Sequence, residues 1–202
     1  MKKILIIGGT GTIGKAVCDA FDSLGHLLIT AGYNQGDYQV DIGDPESIKT
    51  MYKKVGNIDA VICAAARGVT FKPIDQISIN EITTSMHSKL YGQVNVVLEG
   101  IKWVNDNGSF TLTTGILNRE PIITGAAAAI ANGGIDSFVK AAALEMPRML
   151  KINAVSPGLL TESKDKYEKL FPGYATVNGS KVALAYVRSV MGGHSGRVFC
   201  VD

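Results

Sequence analysis

Three glycines, Gly8, Gly11 and Gly14, recur at three-residue intervals in Gly8-Gly9-Thr10-Gly11-Thr12-Ile13-Gly14. The run follows the apolar stretch Ile4-Leu5-Ile6-Ile7 and precedes Val17, Phe21 and Leu24, which with Ile13 repeat at helical spacing. Glycine allows the tight turn and the close approach of backbone to a pyrophosphate, and the opening turn of a helix offers unpaired amides and a partial positive charge. Strand, loop and helix in this order point to a dinucleotide-phosphate cradle contacted by Gly8, Thr10, Gly11, Thr12, Ile13 and Gly14. A dinucleotide fold places an acidic side chain at the end of its second strand, where it bonds the adenosine ribose hydroxyls and repels a 2′-phosphate. That position here reads Ala31-Gly32-Tyr33-Asn34, without a carboxylate. NADP(H) is therefore favoured over NAD(H), with Asn34 and Lys15 as candidate phosphate contacts. Asp37 lies too far into the loop to settle the matter.

The elements that must hold this loop read as one α/β domain over residues 1–202. Short apolar runs alternate with amphipathic stretches throughout, the pattern of a doubly wound, Rossmann-like parallel sheet with helices on both faces. Seven strands are expected near 3–7, 26–31, 38–42, 58–65, 108–114, 150–155 and 196–201. Helices are expected near 12–24, 45–55, 75–105 in two pieces, 124–146, 164–170 and 179–191. In Asp44-Pro45-Glu46, Asp44 suits an N-cap and Pro45 the first helical position, and Asn107-Gly108 marks a turn before a strand. One connection is too short. Only Gly32 to Asp37 separate the second and third strands, whereas parallel neighbours normally need a dozen residues and a helix. A helix is missing there, which leaves that sheet edge less covered.

Composition excludes several classes. The net charge of +2 comes from dispersed basic residues, so no nucleic-acid footprint is read. No stretch approaches the roughly 18 to 20 apolar residues of a membrane span. The first apolar run ends at Gly8 without a small-residue cleavage site, so it reads as a buried strand and not as a secretory signal. Cys18, Cys63 and Cys200 form neither an even set nor a metal-ligand spacing, which suits buried thiols in a reducing compartment. His26, His87 and His194 share no spacing for a metal or a triad, so no metal is expected. The cytoplasm is the expected location.

The glycine loop, Asp41-Ile42, Asp59-Ala60-Val61-Ile62 leading into Ala64-Ala65-Ala66, and Asn153-Ala154-Val155-Ser156-Pro157-Gly158 together resemble the short-chain dehydrogenase/reductase family along the whole chain. The resemblance implies that Asp41 contacts the adenine and that Cys63-Ala64-Ala65-Ala66 lines the cofactor, although only Ala65 matches the family's N-N-A-G. It also implies that Pro157-Gly158 meets the nicotinamide end and that residues 159–173 form a mobile substrate lid. The glycine loop departs from the family's G-x-x-x-G-x-G, with Thr12 where a glycine would stand. A homodimer or homotetramer is implied as well, because the alanine-rich helix around 126–134 and the long helix before it often form the interface in this family.

The same resemblance exposes a deficit. The family's chemistry uses a tyrosine as general acid/base, a lysine four residues later, an upstream serine and a helix asparagine. Their positions fall on Ala128, Asn132, Gly115 and Lys89, and none of the seven tyrosines has a lysine four residues downstream. Candidate replacements are Thr113 or Thr114 for the serine hydroxyl, Lys89 for an ammonium near the cofactor, and Tyr167 on the lid. Arg67 is a candidate anchor for an anionic substrate. Each has a plainer role open to it: Lys89 as a surface or interface charge, Tyr167 as a packing aromatic, Arg67 as a solvated loop residue. Three functions fit these residues. They are an NADP(H)-dependent oxidoreductase acting on a small carbonyl or alcohol with a non-standard acid/base, a catalytically silent dinucleotide sensor, and an isomerase or lyase using the nucleotide without net redox change.

Overall fold

The structure, a computed structural model, describes residues 1–65 and 68–202. Seven strands form one parallel sheet: β1 (Lys3–Ile7), β2 (Leu27–Gly32), β3 (Tyr38–Gln39), β4 (Ile58–Cys63), β5 (Val104–Thr113), β6 (Lys151–Pro157) and β9 (Val198–Val201). Their order is β3-β2-β1-β4-β5-β6-β9. The chain winds outward in both directions from β1 and β4, and the crevice between the carboxyl ends of these two strands is where such sheets bind ligands.

Alternating strand residues feed two cores. Leu5, Ile7, Val61, Cys63, Phe110, Leu112 and Ile152 pack on one face beneath α2 (Pro45–Val55), α4 (Gly92–Gly100) and α5 (Ala126–Ala142). Ile4, Ile6, Ala60, Ile62, Val155 and Phe199 face the other way, against α1 (Thr12–Asp22) and α7 (Gly179–Met191). The seven expected strands and the doubly wound class are thus present. Asp44 caps α2 as its sequence indicates, accepting from the Glu46 amide at 3.0 Å with Pro45 in the first turn.

Several boundaries differ from expectation. The helix expected to run to 105 ends at Gly100, and β5 starts at Val104, because Val104 pairs with Ile58 before the register breaks and resumes at Ala60 and Ser109. The Asn107-Gly108 turn is therefore a bulge inside β5, with Asn107 at φ 61°. The long helix is divided between α3 (Ile79–Met86) and α4 by a wide five-residue π turn, His87–Tyr91. Ser78 and Glu81 close a reciprocal capping box at the start of α3. The segment after Gly158 adds β7 (Leu159–Leu160) and β8 (Thr176–Val177), which pair with each other, and the short helix α6 (Lys164–Tyr167) between them.

The missing helix is real. Ala31 pairs directly with Tyr38 and Gly32 with Gln39 across the short loop 33–37. The loop is held by Asp37, whose Oδ2 accepts from the Thr30 amide at 2.8 Å and from the Thr30 hydroxyl at 2.9 Å. Gly36 takes φ 119°, a region side chains avoid. With no helix over this edge, Leu27 is 49% exposed.

Below the site, α7 is tied to the sheet by a buried chain of hydroxyls. The Thr113 hydroxyl donates to the Cys63 carbonyl at 2.6 Å, so the Tyr186 hydroxyl, 2.6 Å away, must donate to Thr113. Both side chains are buried. Tyr186→Phe removes one link and leaves a hydroxyl oxygen without its donor. Urea denaturation is expected to show a loss of about 1 to 2 kcal/mol, with the native far-ultraviolet circular dichroism retained.

Candidate functional site

Two hollows lie along the carboxyl edge of the sheet and meet at Gly68. The first, about 520 Å³, is lined by the glycine loop (Gly8, Thr10, Gly11), the ends of β2 and β3 (Gly32, Tyr33, Val40, Asp41), and Ala64 and Ala65 beyond β4. The second, about 500 Å³, is walled by Phe71, Lys89, Gly115, Ile116, Ala128, Asn132, Pro157, Gly158, Tyr167 and Phe171, among others. Several of the sequence-predicted residues, among them Gly8, Gly11, Asp41, Lys89, Pro157 and Tyr167, thus gather at one edge, from segments more than a hundred residues apart.

The glycine loop explains itself by packing. Gly8 sits at φ 84°, and a Cβ there would come 2.8 Å from the Ala65 amide. A Cβ on Gly14 would lie 2.0 Å from the Gly8 carbonyl. Those two glycines let β1, α1 and the end of β4 close on one another. Gly11 is different, since a Cβ there would meet only the Gly8 carbonyl, at 3.4 Å. It borders the first hollow and starts α1, whose opening amides no side chain caps. Space, free amides and the positive end of α1 suit an anionic group. Thr12 faces an adjoining hollow with Thr10, Gly11 and Lys15, while the Ile13 side chain packs into the α1/α7 core.

At the far end of the first hollow, the Asp41 carboxylate borders the space and accepts from the Gly43 amide at 2.9 Å. Asp37 is spent on Thr30, so no carboxylate from the β2–β3 loop lines the hollow. Asn34 is exposed in that loop, next to Tyr33. Arg67 and Ala66 lie outside the described residues.

In the second hollow the decisive residue is Lys89, at the centre of the π turn. Gln93 fixes its backbone: the Gln93 amide nitrogen donates to the Lys89 carbonyl at 3.1 Å and to the Thr113 carbonyl at 2.8 Å, and its oxygen accepts from the Thr113 amide at 2.8 Å. The ammonium donates to the Thr114 carbonyl at 3.4 Å. Burial lowers the Lys89 pKa to about 8, with Asp136 opposing that shift. A π turn adds one residue to a helix and turns side chains away from the regular spacing, often at functional sites.

The other candidates are placed differently. Thr114 is 2% exposed, and its hydroxyl donates to the Asn132 carbonyl at 3.0 Å, so it supports α5 and gives Lys89 its carbonyl. Thr113 is engaged with Cys63 and Tyr186. Tyr167 packs with Phe171, Ile116 and Leu117, and borders the hollow from the α6 side with Lys166 5.0 Å above its ring. Ala128 offers a methyl group, and Asn132 donates to the Gly115 carbonyl at 3.1 Å. Phe71, Leu117 and Phe171 complete the apolar wall. Sequence reasoning missed these three, because an apolar wall carries no motif. Among the described residues, no group of three or more His, Cys, Asp or Glu is placed to hold a metal, and no helix is long and apolar enough to cross a membrane.

A family model described as enoyl-(acyl carrier protein) reductase matches residues 22–184. Among solved structures, the protein lin1944 from Listeria innocua is 46% identical, with a TM-score of 0.97 and both chains covered in full. A small-chain dehydrogenase is 25% identical at a TM-score of 0.85, over 99% of this chain and 95% of its own. A small-chain dehydrogenase in complex with NADPH is 23% identical at a TM-score of 0.87, over 99% of this chain and 96% of its own. No curated protein matches the sequence.

The depressed Lys89 pKa has a consequence for stability. Folded Lys89 loses its proton near pH 8, while the unfolded side chain keeps it up to the ordinary value of 10.5. Between those values the unfolded chain binds more protons, so stability gained from this residue rises with pH. Lys89→Met is expected to be more stable than the wild type at neutral pH, with an advantage that shrinks as pH climbs through that window. Parallel urea titrations at neutral and alkaline pH measure it; a constant or growing gap would contradict the assignment.

Proposed function

This chain belongs to the short-chain dehydrogenase/reductase family, and on that premise we propose that it is an NADP(H)-dependent oxidoreductase. Its substrate is a small carbonyl compound or the matching alcohol, and Lys89 is its acid/base. The observation that carries the reading is the half-buried Lys89 ammonium, which shares one hollow with Pro157-Gly158, Ala128 and Asn132. Where relatives place a tyrosine and lysine on α5, this chain has a methyl group and an amide, and the titratable group comes from the π turn.

The first hollow fits a dinucleotide's adenosine and pyrophosphate. Gly8, Gly11 and Gly14 keep the loop close, the amides of Thr10, Thr12 and Ile13 face the phosphates, Asp41 meets the adenine, and Ala64 and Ala65 form the floor. No carboxylate from the β2–β3 loop lines the first hollow, which supports NADP(H), with Lys15 and Asn34 for the 2′-phosphate; a protein of the same fold holds NADPH. When bound, the cofactor supplies or accepts the hydride. Lys89 gives its proton to the developing alkoxide oxygen in reduction and takes it back in oxidation; a pKa near 8 suits both directions. Tyr167 and Phe171 exclude water from the lid side, and Pro157-Gly158 borders the nicotinamide end. Exposed Leu98 on α4 and Ile130 on α5 fit assembly as a homodimer or homotetramer.

The rival reading, a silent NADP(H) sensor, is favoured by the methyl of Ala128 at the tyrosine position. The two separate experimentally. Nicotinamide fluorescence is expected to show NADPH bound at least about tenfold more tightly than NADH. NADPH consumption with a panel of aldehydes, ketones and quinones is expected to fall about 10²-fold or more in Lys89→Met. Wild-type reduction is expected to decline above pH about 8, where Lys89 loses its proton. Binding without turnover on any substrate would establish the sensor, and no binding at all would end both readings.

A further inference from the structure

Beside Lys89, α5 and the turn Ile116–Asn118 bury more polar groups than their own bonds satisfy. Asn132 and Asp136 stand one helical turn apart on α5, 2% and 7% exposed. Asn118 Nδ2 donates to Asp136 Oδ2 at 2.6 Å, and Asn132 Nδ2 donates to the Gly115 carbonyl. Three oxygens are then left buried without a partner: Asn118 Oδ1, Asn132 Oδ1 and Asp136 Oδ1. All three are acceptors, and buried acceptors normally find a donor. Lys89 is the neighbouring donor in surplus. Its ammonium carries three protons, and Thr114 takes one at a long 3.4 Å.

The charge pattern singles out Asp136. Lys89 is faced by Asp136 from α5 and by Lys166 and Tyr167 from the lid; Thr114 at the end of β5 is neutral, and His87 in its own turn is exposed. Asp136 is therefore the anion among the described groups bordering that ammonium. No ion pair within 4.0 Å joins the two, so a hydrogen-bonded link between them needs a bridging molecule. A polar cavity with two to four partners is what a buried water occupies.

We propose that Asp136 is the positioning residue for Lys89, holding its ammonium charged and aimed at the second hollow through a water shared with Asn132, while Asn118 fixes the carboxylate. This rests on the reading of Lys89 as the acid/base. It adds that the lysine's charge state is set from below, by α5, and it accounts for two of the three otherwise unsatisfied oxygens, those of Asn132 and Asp136.

Lysine labelled with ¹³C at the ε-carbon allows Lys89 to be followed by pH titration, its signal assigned by its loss in Lys89→Met. The wild-type midpoint is expected near 8. In Asp136→Asn, which keeps the volume and removes the charge, the midpoint is expected to fall by about one pH unit, with the other lysines unmoved. Asp136→Glu is expected to restore most of the shift. In the wild type, the Asp136 carboxyl ¹³C signal is expected to step at the Lys89 midpoint, which tests the link without any variant. An unmoved Lys89 midpoint in a folded Asp136→Asn protein, or no step at Asp136, would overturn the inference. Fluorescence titration with NADPH runs beside it. Binding lost in the wild type would overturn the functional reading alone, and intact binding with an unmoved midpoint would overturn only the role of Asp136.

Discussion

The close approach of three backbone segments at Gly8 is the constraint on which the rest of the molecule depends. The Gly8 carbonyl lies where a Gly14 side chain would begin, and the Gly8 Cα lies against Ala64 and Ala65. Any side chain at either glycine would drive α1 away from the sheet or β4 away from β1. Because these strands flank the point where the winding reverses, that displacement would open the crevice itself. The amide of Ala64 bonds the Ile7 carbonyl, and the amide of Gly8 bonds the Ala31 carbonyl, so the loop also joins the ends of β4 and β2 to the end of β1. The shape of the glycine loop and the assembly of the sheet are thus one packing problem.

The second half of the cleft is built on another principle. There the backbone is positioned by side chains that imitate it: Gln93 pairs with both the amide and the carbonyl of Thr113, as a neighbouring strand would, and it also takes the carbonyl of Lys89. The π turn is thereby fastened to the end of β5, and the lysine it carries enters the cleft from a direction a regular helix would not give. The hydroxyls of Thr113 and Thr114 are consumed in the same bracing. This is the physical reason that neither threonine faces the hollow with a free hydroxyl.

Much of this was legible in the sequence. Strand-loop-helix order gave the glycine loop, apolar alternation gave seven strands, and the six residues between Ala31 and Tyr38 were too few for a helix. What was not legible depended on tertiary partners. The early start of β5 follows from Val104 pairing with Ile58, which no local propensity encodes. The π turn interrupts a stretch whose periodicity reads as plain helix, so Lys89 was named as a candidate without its setting. Asp136 was invisible, because a carboxylate within an alanine-rich helix reads as a solvent-facing charge until its burial is seen. The walls formed by Phe71 and Phe171 belong to segments without regular structure, where sequence pattern carries least.

The direct passage from β2 to β3 has a consequence for how the chain reaches this state. Closing a five-residue loop costs little chain entropy, and the cost grows only slowly with loop length. Pairings separated by few residues also form early relative to distant ones. The outermost edge of the sheet, fastened by Asp37 onto Thr30, is therefore a local unit, whereas β1 must wait for β4 to arrive from more than fifty residues away. By dispensing with a crossover helix, the chain has made the edge of its sheet the part least dependent on the order in which the rest assembles.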